Sequence, residues 1–368
     1  MINVAVIFGG PSPEHDVSIL TGLQALRELG RLEGYGMVGI YWSGAGEFFE
    51  CASNLEADAF IGGVPKGAIP LKYQAQMGGG FYAKGSLGRE RKVEFEVIIN
   101  CCHGGPGEDG TLSGLLDLAQ IRYAGPSATG AYLGMDKLAF GALVSKLGLP
   151  TLPRELLAFD VEPGFAGPYI IKPRFGGSSI GIQTVEDIQT AHALLASNPH
   201  LKRGAVIEPY RTDLYDLNIA IRSWPKLEFS AIEKPIRRSS DAEILNYQDK
   251  YVGGQGMTSA PRELPANISS DLKDKICEYS SQIAKACMVR GVARLDFLSD
   301  GTQLFVNELN TIPGSLSKHL WVNPDIAFSK LLIDMVEEAG KAIPSVFSTL
   351  GADGTVLTSA GQIASKLG

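Results

Sequence analysis

Ala293-Arg294-Leu295-Asp296-Phe297-Leu298 and, after a short gap, Leu304-Phe305-Val306-Asn307-Glu308-Leu309-Asn310 decide how this chain is read. Both segments have the apolar content of buried strands, and side chains alternate across a strand. Arg294 and Asp296 therefore share one face, while Ala293, Leu295 and Phe297 take the other. By the same rule Glu308 shares a face with Asn310. Paired as a hairpin, the strands bring two carboxylates, an amide oxygen and a guanidinium together. Oxygen-only donors suit magnesium, which keeps waters and bridges nucleotide phosphates. The competing reading is a solvated sheet face with scattered polar residues. Against it stand the otherwise apolar strands and the loop Thr311-Ile312-Pro313-Gly314-Ser315, which follows at once.

Upstream, Lys172-Pro173-Arg174-Phe175-Gly176-Gly177-Ser178-Ser179-Ile180-Gly181 ends the short strand Tyr169 to Ile171. Its small residues admit backbone amides to phosphate oxygens, and Lys172 and two hydroxyls supply further donors. In isolation the segment reads better as a flexible Gly/Ser hairpin. It is not a Walker A loop, because Gly-Lys-Ser/Thr occurs nowhere in the chain. Gly105-Pro106-Gly107-Glu108-Asp109-Gly110 formally fits a dinucleotide fingerprint, yet Glu108 and Asp109 would set two negative charges against the pyrophosphate. With His103, this loop suits a cationic amine or helix capping, and His103 by itself reads as a buried, satisfied imidazole. Ser12-Pro13-Glu14-His15-Asp16 could likewise serve only to cap the first helix.

Around these segments, strand and helix patterns alternate. Val4 to Phe8 is an apolar run broken by Gly9-Gly10, and a helix with Ile19, Leu23 and Leu26 on one face closes near Gly30. Met37 to Tyr41 and Val93 to Ile99 read as further buried strands. The alternation predicts an α/β fold with a mostly parallel, helix-covered sheet and ligands at the carboxyl ends of its strands. Gly125-Pro126 marks a first boundary, and a long loop runs from about Lys234 to Pro265. A chain of 368 residues holds two or three such domains. Its net charge of −7 speaks against a general nucleic-acid or anionic-membrane binder. No apolar stretch is long enough to span a bilayer, and MINVAVIFGG lacks a basic lead, so a cytoplasmic protein is expected. The five cysteines show neither metal-ligand spacing nor a disulfide framework.

Taken in order, these segments resemble the D-alanine–D-alanine ligases. Ile7-Phe8-Gly9-Gly10 through Glu14-His15-Asp16-Val17-Ser18 is similar to the family's opening signature, and His103-Gly104-Gly105 with Gly107 to Thr111 to its second motif. Met135-Asp136-Lys137, then Lys172-Pro173 with Gly177 to Gly181, then Asn246-Tyr247 through Tyr251 continue the series. Arg294-Leu295-Asp296 and Asn307 to Gly314 resemble the metal-binding end, so that the likeness spans roughly residues 2–336.

The resemblance implies an ATP-grasp fold behind a Rossmann-like, parallel-sheet amino-terminal domain on the donor side (1–126). A central subdomain (127–213) and a carboxyl-terminal one (214–368) with a lid loop (234–265) would follow. It implies ATP with two magnesium ions (manganese as a substitute), amino-acid substrates and a homodimer. Lys137 and Lys172 would hold the phosphates beside Ser179, Glu208 the adenine amino group and Asp216 the ribose. Asp296, Glu308 and Asn310 would bind the metal, while Arg294 and the Gly314 N–H stabilise an oxyanion. Glu14 would bind the donor ammonium, with Ser178 and Tyr251 positioning the acceptor. Lys250 would reach the transferred phosphate from the lid. His103 would contact the donor, Glu108 would orient loops, and Ser315, His319 and Leu320 would form the acceptor pocket. Three positions depart from the family's usual pattern: Asp216 for glutamate, Pro209 beside the adenine hinge, and His319 where a serine commonly meets the acceptor carboxylate. Two alternatives follow: a related amino-acid or dipeptide ligase with another acceptor, and an ATP-binding regulator without turnover. Retention of both the donor residue Glu14 and the metal set speaks against the regulator.

Overall fold

Val4 to Phe8 are wholly buried because the strand Ile2–Gly9 lies inside a sheet covered on both faces. The coordinates are a computed structural model that describes residues 1–85, 88–160, 162–236, 261–344 and 347–363. Tyr35–Trp42 and Val97–Asn100 flank Ile2–Gly9 in parallel, and Tyr123–Ala124 is parallel beyond the latter. The other half differs from expectation. Phe48–Cys51, Ile69–Gln74, Gly80–Lys84 and Glu90–Lys92 extend the sheet by antiparallel pairing, so the eight-stranded sheet is mixed and not mostly parallel. Short turns such as Ser43 to Glu47 can only return the chain antiparallel, whereas Ile2–Gly9 reaches its parallel neighbour Tyr35–Trp42 through the helix His15–Leu29.

Alternation along Ile2–Gly9 serves two cores. Val4, Val6 and Phe8 pack under His15–Leu29 and the distant helix Phe328–Lys341, while Ala5 and Ile7 meet Leu112 and Leu116 of the helix Thr111–Leu118. The helix Phe328–Lys341 thus returns from the far end of the chain to the first sheet, burying Leu331, Leu332 and Met335 there.

Two smaller antiparallel sheets face each other beyond it. The central one runs Gln183–Val185, Tyr169–Pro173, Ala205–Pro209, Glu155–Leu156, with the helix Ile188–Ser197 behind. The other runs Glu228–Phe229, Tyr215–Arg222, Val292–Ser299, Leu304–Asn310. It is backed by Ser270–Ala286 and by Phe140 and Val144 of Lys137–Lys146. Ser269 starts the first of these helices, its hydroxyl accepting from Leu272 N at 3.2 Å. The ends of the expected 234–265 loop are strands: Lys234–Pro235 pairs with Arg262–Glu263. Residues 237–260, including Lys250 and Tyr251, lie outside the described residues. Among the described residues, no helix is long and apolar enough to cross a membrane.

Candidate active site

The hairpin from which the reading began forms with Asp296 opposite Glu308 and Arg294 opposite Asn310. Ala293, Leu295 and Phe297 are buried on the far face, as alternation requires. Register then slips by one, since Phe297 pairs with Val306 and Asn307 is left as a bulge. The bulge lets consecutive residues serve the same cleft: Asn307 meets Lys172 while Glu308 faces Lys137 at 3.5 Å. Asp296 receives a two-pronged bond from Arg294 (2.6 and 2.7 Å) and one from the Asn310 amide at 3.0 Å. Asp216, on the neighbouring strand, also lines the cleft.

Opposite these strands sits a buried cluster of charges. Glu208 accepts from Lys172 Nζ at 2.8 Å through one oxygen and from Arg154 Nε at 2.6 Å through the other. Burial alone would raise the Glu208 carboxyl, but Arg154 and Lys172 outweigh it and hold it below the usual range. For Lys172 burial wins, with Arg154 adding to it, and the ammonium lies below its ordinary value despite Glu208. Lys137 donates to the Gly176 carbonyl at 2.6 Å. Asp136 caps the helix that Lys137 begins and grips Arg174 with both oxygens (2.8 and 2.6 Å), tying the helix start to the Gly/Ser loop.

In that loop Ser178 and Ser179 adopt left-handed backbone angles (φ 51° and 58°), a strained conformation for residues other than glycine. The turn aims Ser178 Oγ at Glu14, to which it donates. Glu14 lies against the backbone of Gly104 and Gly177, where any Cβ would collide with its carboxylate. Glycine at Gly177 thus leaves room for the Glu14 carboxylate, which would otherwise have to shift.

His103 and Glu108 reach from the first domain to the loop after Asn310. His103 Nδ1 donates to the Ile312 carbonyl at 2.6 Å and Nε2 accepts from Thr21 Oγ1 at 2.8 Å. Thr21 Oγ1 in turn accepts from Ser315 N at 3.1 Å. Burial lowers the imidazole to about 4, so the ring is neutral at ordinary pH, which suits one donor and one acceptor nitrogen. Glu108 accepts from Gly104 N and Ile312 N (2.9 Å each) and from Thr311 Oγ1 at 3.2 Å. Burial first, then Glu14, pushes its carboxyl up to about 7. Gly314 lines the cleft at the head of a turn in which Ser315, Leu316 and Ser317 are all left-handed (φ 47° to 49°).

His319 enters the cleft beside Glu233, with Nε2 3.6 Å from its carboxylate. Two expected pocket residues fall elsewhere. Leu320 is wholly buried in the first core, because the left-handed turn rotates it inward, and Ser315 is not among the cleft-lining residues. The reading by sequence also passed over Arg154, Glu233 and Arg262. Arg262 donates to Glu233 at 2.7 Å across the base of the Lys234–Pro235 ladder. A lone arginine amid Leu149-Pro150-Thr151-Leu152-Pro153 was the available signal for Arg154; for the Glu233–Arg262 pair, 29 residues apart, there was none.

Two antiparallel sheets closing on a cleft of lysines, a glycine-rich turn and facing carboxylates define an ATP-grasp architecture. Residues 3–126 match the profile described as D-ala D-ala ligase N-terminus and residues 143–337 that of D-ala D-ala ligase C-terminus. A D-alanine–D-alanine ligase of Campylobacter concisus is 30% identical over 340 residues, covering 92% of this chain and 94% of its own. That of Wolinella succinogenes is 29% identical over 343 residues, covering 92% and 95%. Among solved structures, the D-alanine–D-alanine ligase from Coxiella burnetii superposes with a TM-score of 0.75 at 19% identity, covering 92% of this chain and 95% of that one. The VanG D-Ala:D-Ser ligase from Enterococcus faecalis reaches 0.75 at 23%, covering 92% and 99%, and both likenesses are of fold. The chain belongs to the D-alanine–D-alanine ligase family.

Proposed function

We propose that this protein joins D-alanine to D-alanine with ATP, releasing ADP and phosphate, for peptidoglycan precursor synthesis. One observation carries the reading: residues from six separate motifs, Glu14 to His319, line a single cleft between three layers. Lys137 and Lys172 bind the phosphates as point charges, Ser179 lies beside them, Glu208 meets the adenine amino group, and Asp216 the ribose. Asp296, Glu308 and Asn310 offer two carboxylates and, once the amide turns, an amide oxygen, which fits magnesium. Bound there, magnesium would offset charge on the phosphate oxygens.

The donor's ammonium pairs with Glu14, which leaves its carboxylate facing the nucleotide. A carboxylate oxygen attacks the γ-phosphorus and ADP departs. The acceptor amine then attacks the acyl-phosphate carbon, phosphate leaves, and the amine's proton passes toward Ser178 and Glu14, with Tyr251 assisting and Lys250 at the phosphate. Arg294 and the Gly314 N–H stabilise the tetrahedral oxyanion. His103 and Glu108 hold the loop that carries Gly314. A homodimer in the cytoplasm is the assembly and compartment we infer. D-alanine-dependent phosphate release with a dialanine product mass tests the reading, and phosphate release indifferent to every amino acid offered would overturn it.

A second reading changes only the acceptor. His319, paired with Glu233, puts an imidazole where the family commonly has a serine, and favours an acceptor other than D-alanine. Competition among D-amino acids with D-alanine as donor decides between the two.

A further inference from the structure

Arg154 has no part in the roles above, yet its side chain is 4% exposed and every nitrogen has a partner. Nε bonds Glu208. One terminal nitrogen donates to the Lys137 carbonyl at 2.8 Å and the other to the Asn307 carbonyl at 3.0 Å. Those carbonyls belong to the helix start carrying one phosphate lysine and to the bulge beside Glu308. The segment leading to Arg154 is stitched to the same strand, since Val306 N donates to the Pro150 carbonyl at 2.9 Å and Thr151 Oγ1 to the Val306 carbonyl at 3.0 Å. Arg154 therefore joins the central and carboxyl-terminal sheets by bonding Lys137, Glu208 and Asn307, all of which line the cleft.

Charge gives that position its meaning. Lys172 is buried and in contact with Glu208, at 2.8 Å. Were Glu208 its sole counter-charge, the pair would be neutral and closed, and phosphate would have to compete with a buried carboxylate for the ammonium. With Arg154 present, Arg154, Glu208 and Lys172 sum to one positive charge, with Glu308 the next carboxylate that Lys172 feels.

We infer that Arg154 is a positioning residue of the nucleotide site: it neutralises and fixes Glu208, leaving the charge of Lys172 for the phosphates. The inference rests on the reading of this cleft as the ATP site. Arginine suits the task because its planar fork reaches a carboxylate and two carbonyls at once, while staying charged when buried.

The test compares ATP and adenosine binding by calorimetry in the whole protein, together with steady-state kinetics. Arg154→Met should weaken ATP at least about tenfold more than it weakens adenosine and raise the ATP KM in proportion, since adenosine registers only a loosened Glu208 and makes no use of Lys172. Arg154→Met with Glu208→Gln restores the wild-type charge at the cluster and, although it alters the adenine contact, should return the ratio of ATP to adenosine affinity most of the way to wild type; it carries the test should the single variant fail to fold. Equal losses for ATP and adenosine in the single variant, or no recovery in the double one, would make Arg154 merely structural and overturn the inference. A wild type that binds no ATP would instead refute the assignment of the cleft.

Discussion

Glu108→Gln keeps the shape of a buried group that joins two domains, removes its titration and replaces one acceptor oxygen by an amide donor. Burial and the neighbouring Glu14 raise this carboxyl from 4.5 to about 7. In the unfolded chain it ionises near the lower value, so the folded protein holds the proton longer. Stability from that proton is fully present below about pH 4.5 and is lost as pH rises through about 7. At about 1.4 kcal/mol per pH unit, the loss between pH 5 and 8 is about 2–3 kcal/mol. Glutamine does not titrate, but three donors converge on this side chain: Gly104 N, Ile312 N and Thr311 Oγ1. Its amide nitrogen must face one of them, leaving a buried donor unpaired at a cost of about 1–3 kcal/mol. The variant should therefore be the less stable protein at pH 5, and should draw level near pH 8. Urea unfolding followed by tryptophan fluorescence at four pH values measures the gap, and titrating groups that do not feel Glu108 cancel in the difference, Glu14 being the coupled one. A gap that stays constant within about 0.5 kcal/mol across that range would show that Glu108 is not ionising in a buried site.

Glu308→Gln should lower turnover at least about 100-fold at ordinary magnesium, because it removes one of two facing carboxylates; near-wild-type kcat would end the metal assignment. Asp136→Ala removes a helix cap and strands Arg174, so urea unfolding should show a loss of about 2–4 kcal/mol. Phe297→Ala empties a wholly buried site between sheet and helix and should cost about 3–5 kcal/mol by the same assay. His319→Ser should move the acceptor ranking toward D-alanine in competition assays, and an unchanged ranking would remove His319 from specificity.

What was legible in the sequence followed the period of the strand. Alternation alone placed Arg294 and Asp296 together and put Phe297 in the core, and the pairing of Asp296 with Glu308 needed only that the two strands be neighbours. The helix ending at Gly30 was legible from its apolar stripe. The antiparallel half of the first sheet was not, because Ile69–Gln74 is solvent-exposed or half-buried apart from Leu71, Glu90–Lys92 is an exposed edge strand, and neither carries an apolar run. The bulge at Asn307 was also hidden: a one-residue slip leaves composition unchanged and alters only which side chains face the cleft. Leu320 was misplaced for a related reason, since three left-handed residues before it turn the chain in a way that no spacing rule anticipates.

That left-handed turn also explains why the cleft needs its first domain. Each of Ser315, Leu316 and Ser317 occupies a region that costs an L-residue roughly 1–2 kcal/mol, so the turn requires bonds from outside itself. They form a ring around it. Ser315 N–H reaches Thr21, Thr21 donates to His103, and His103 donates to the Ile312 carbonyl, while Glu108 takes the Ile312 N–H. Three of these partners lie about 200 or more residues earlier in the chain, in the first domain. The bond that Thr21 donates to His103 needs a neutral imidazole, because a protonated one presents a donor at its second nitrogen. Burial secures this by holding His103 near 4. Packing the first domain on the third and shaping the Gly314 turn are therefore one event, and a substitution that loosens Thr21 should lower turnover through misplacement of that loop before it costs much global stability.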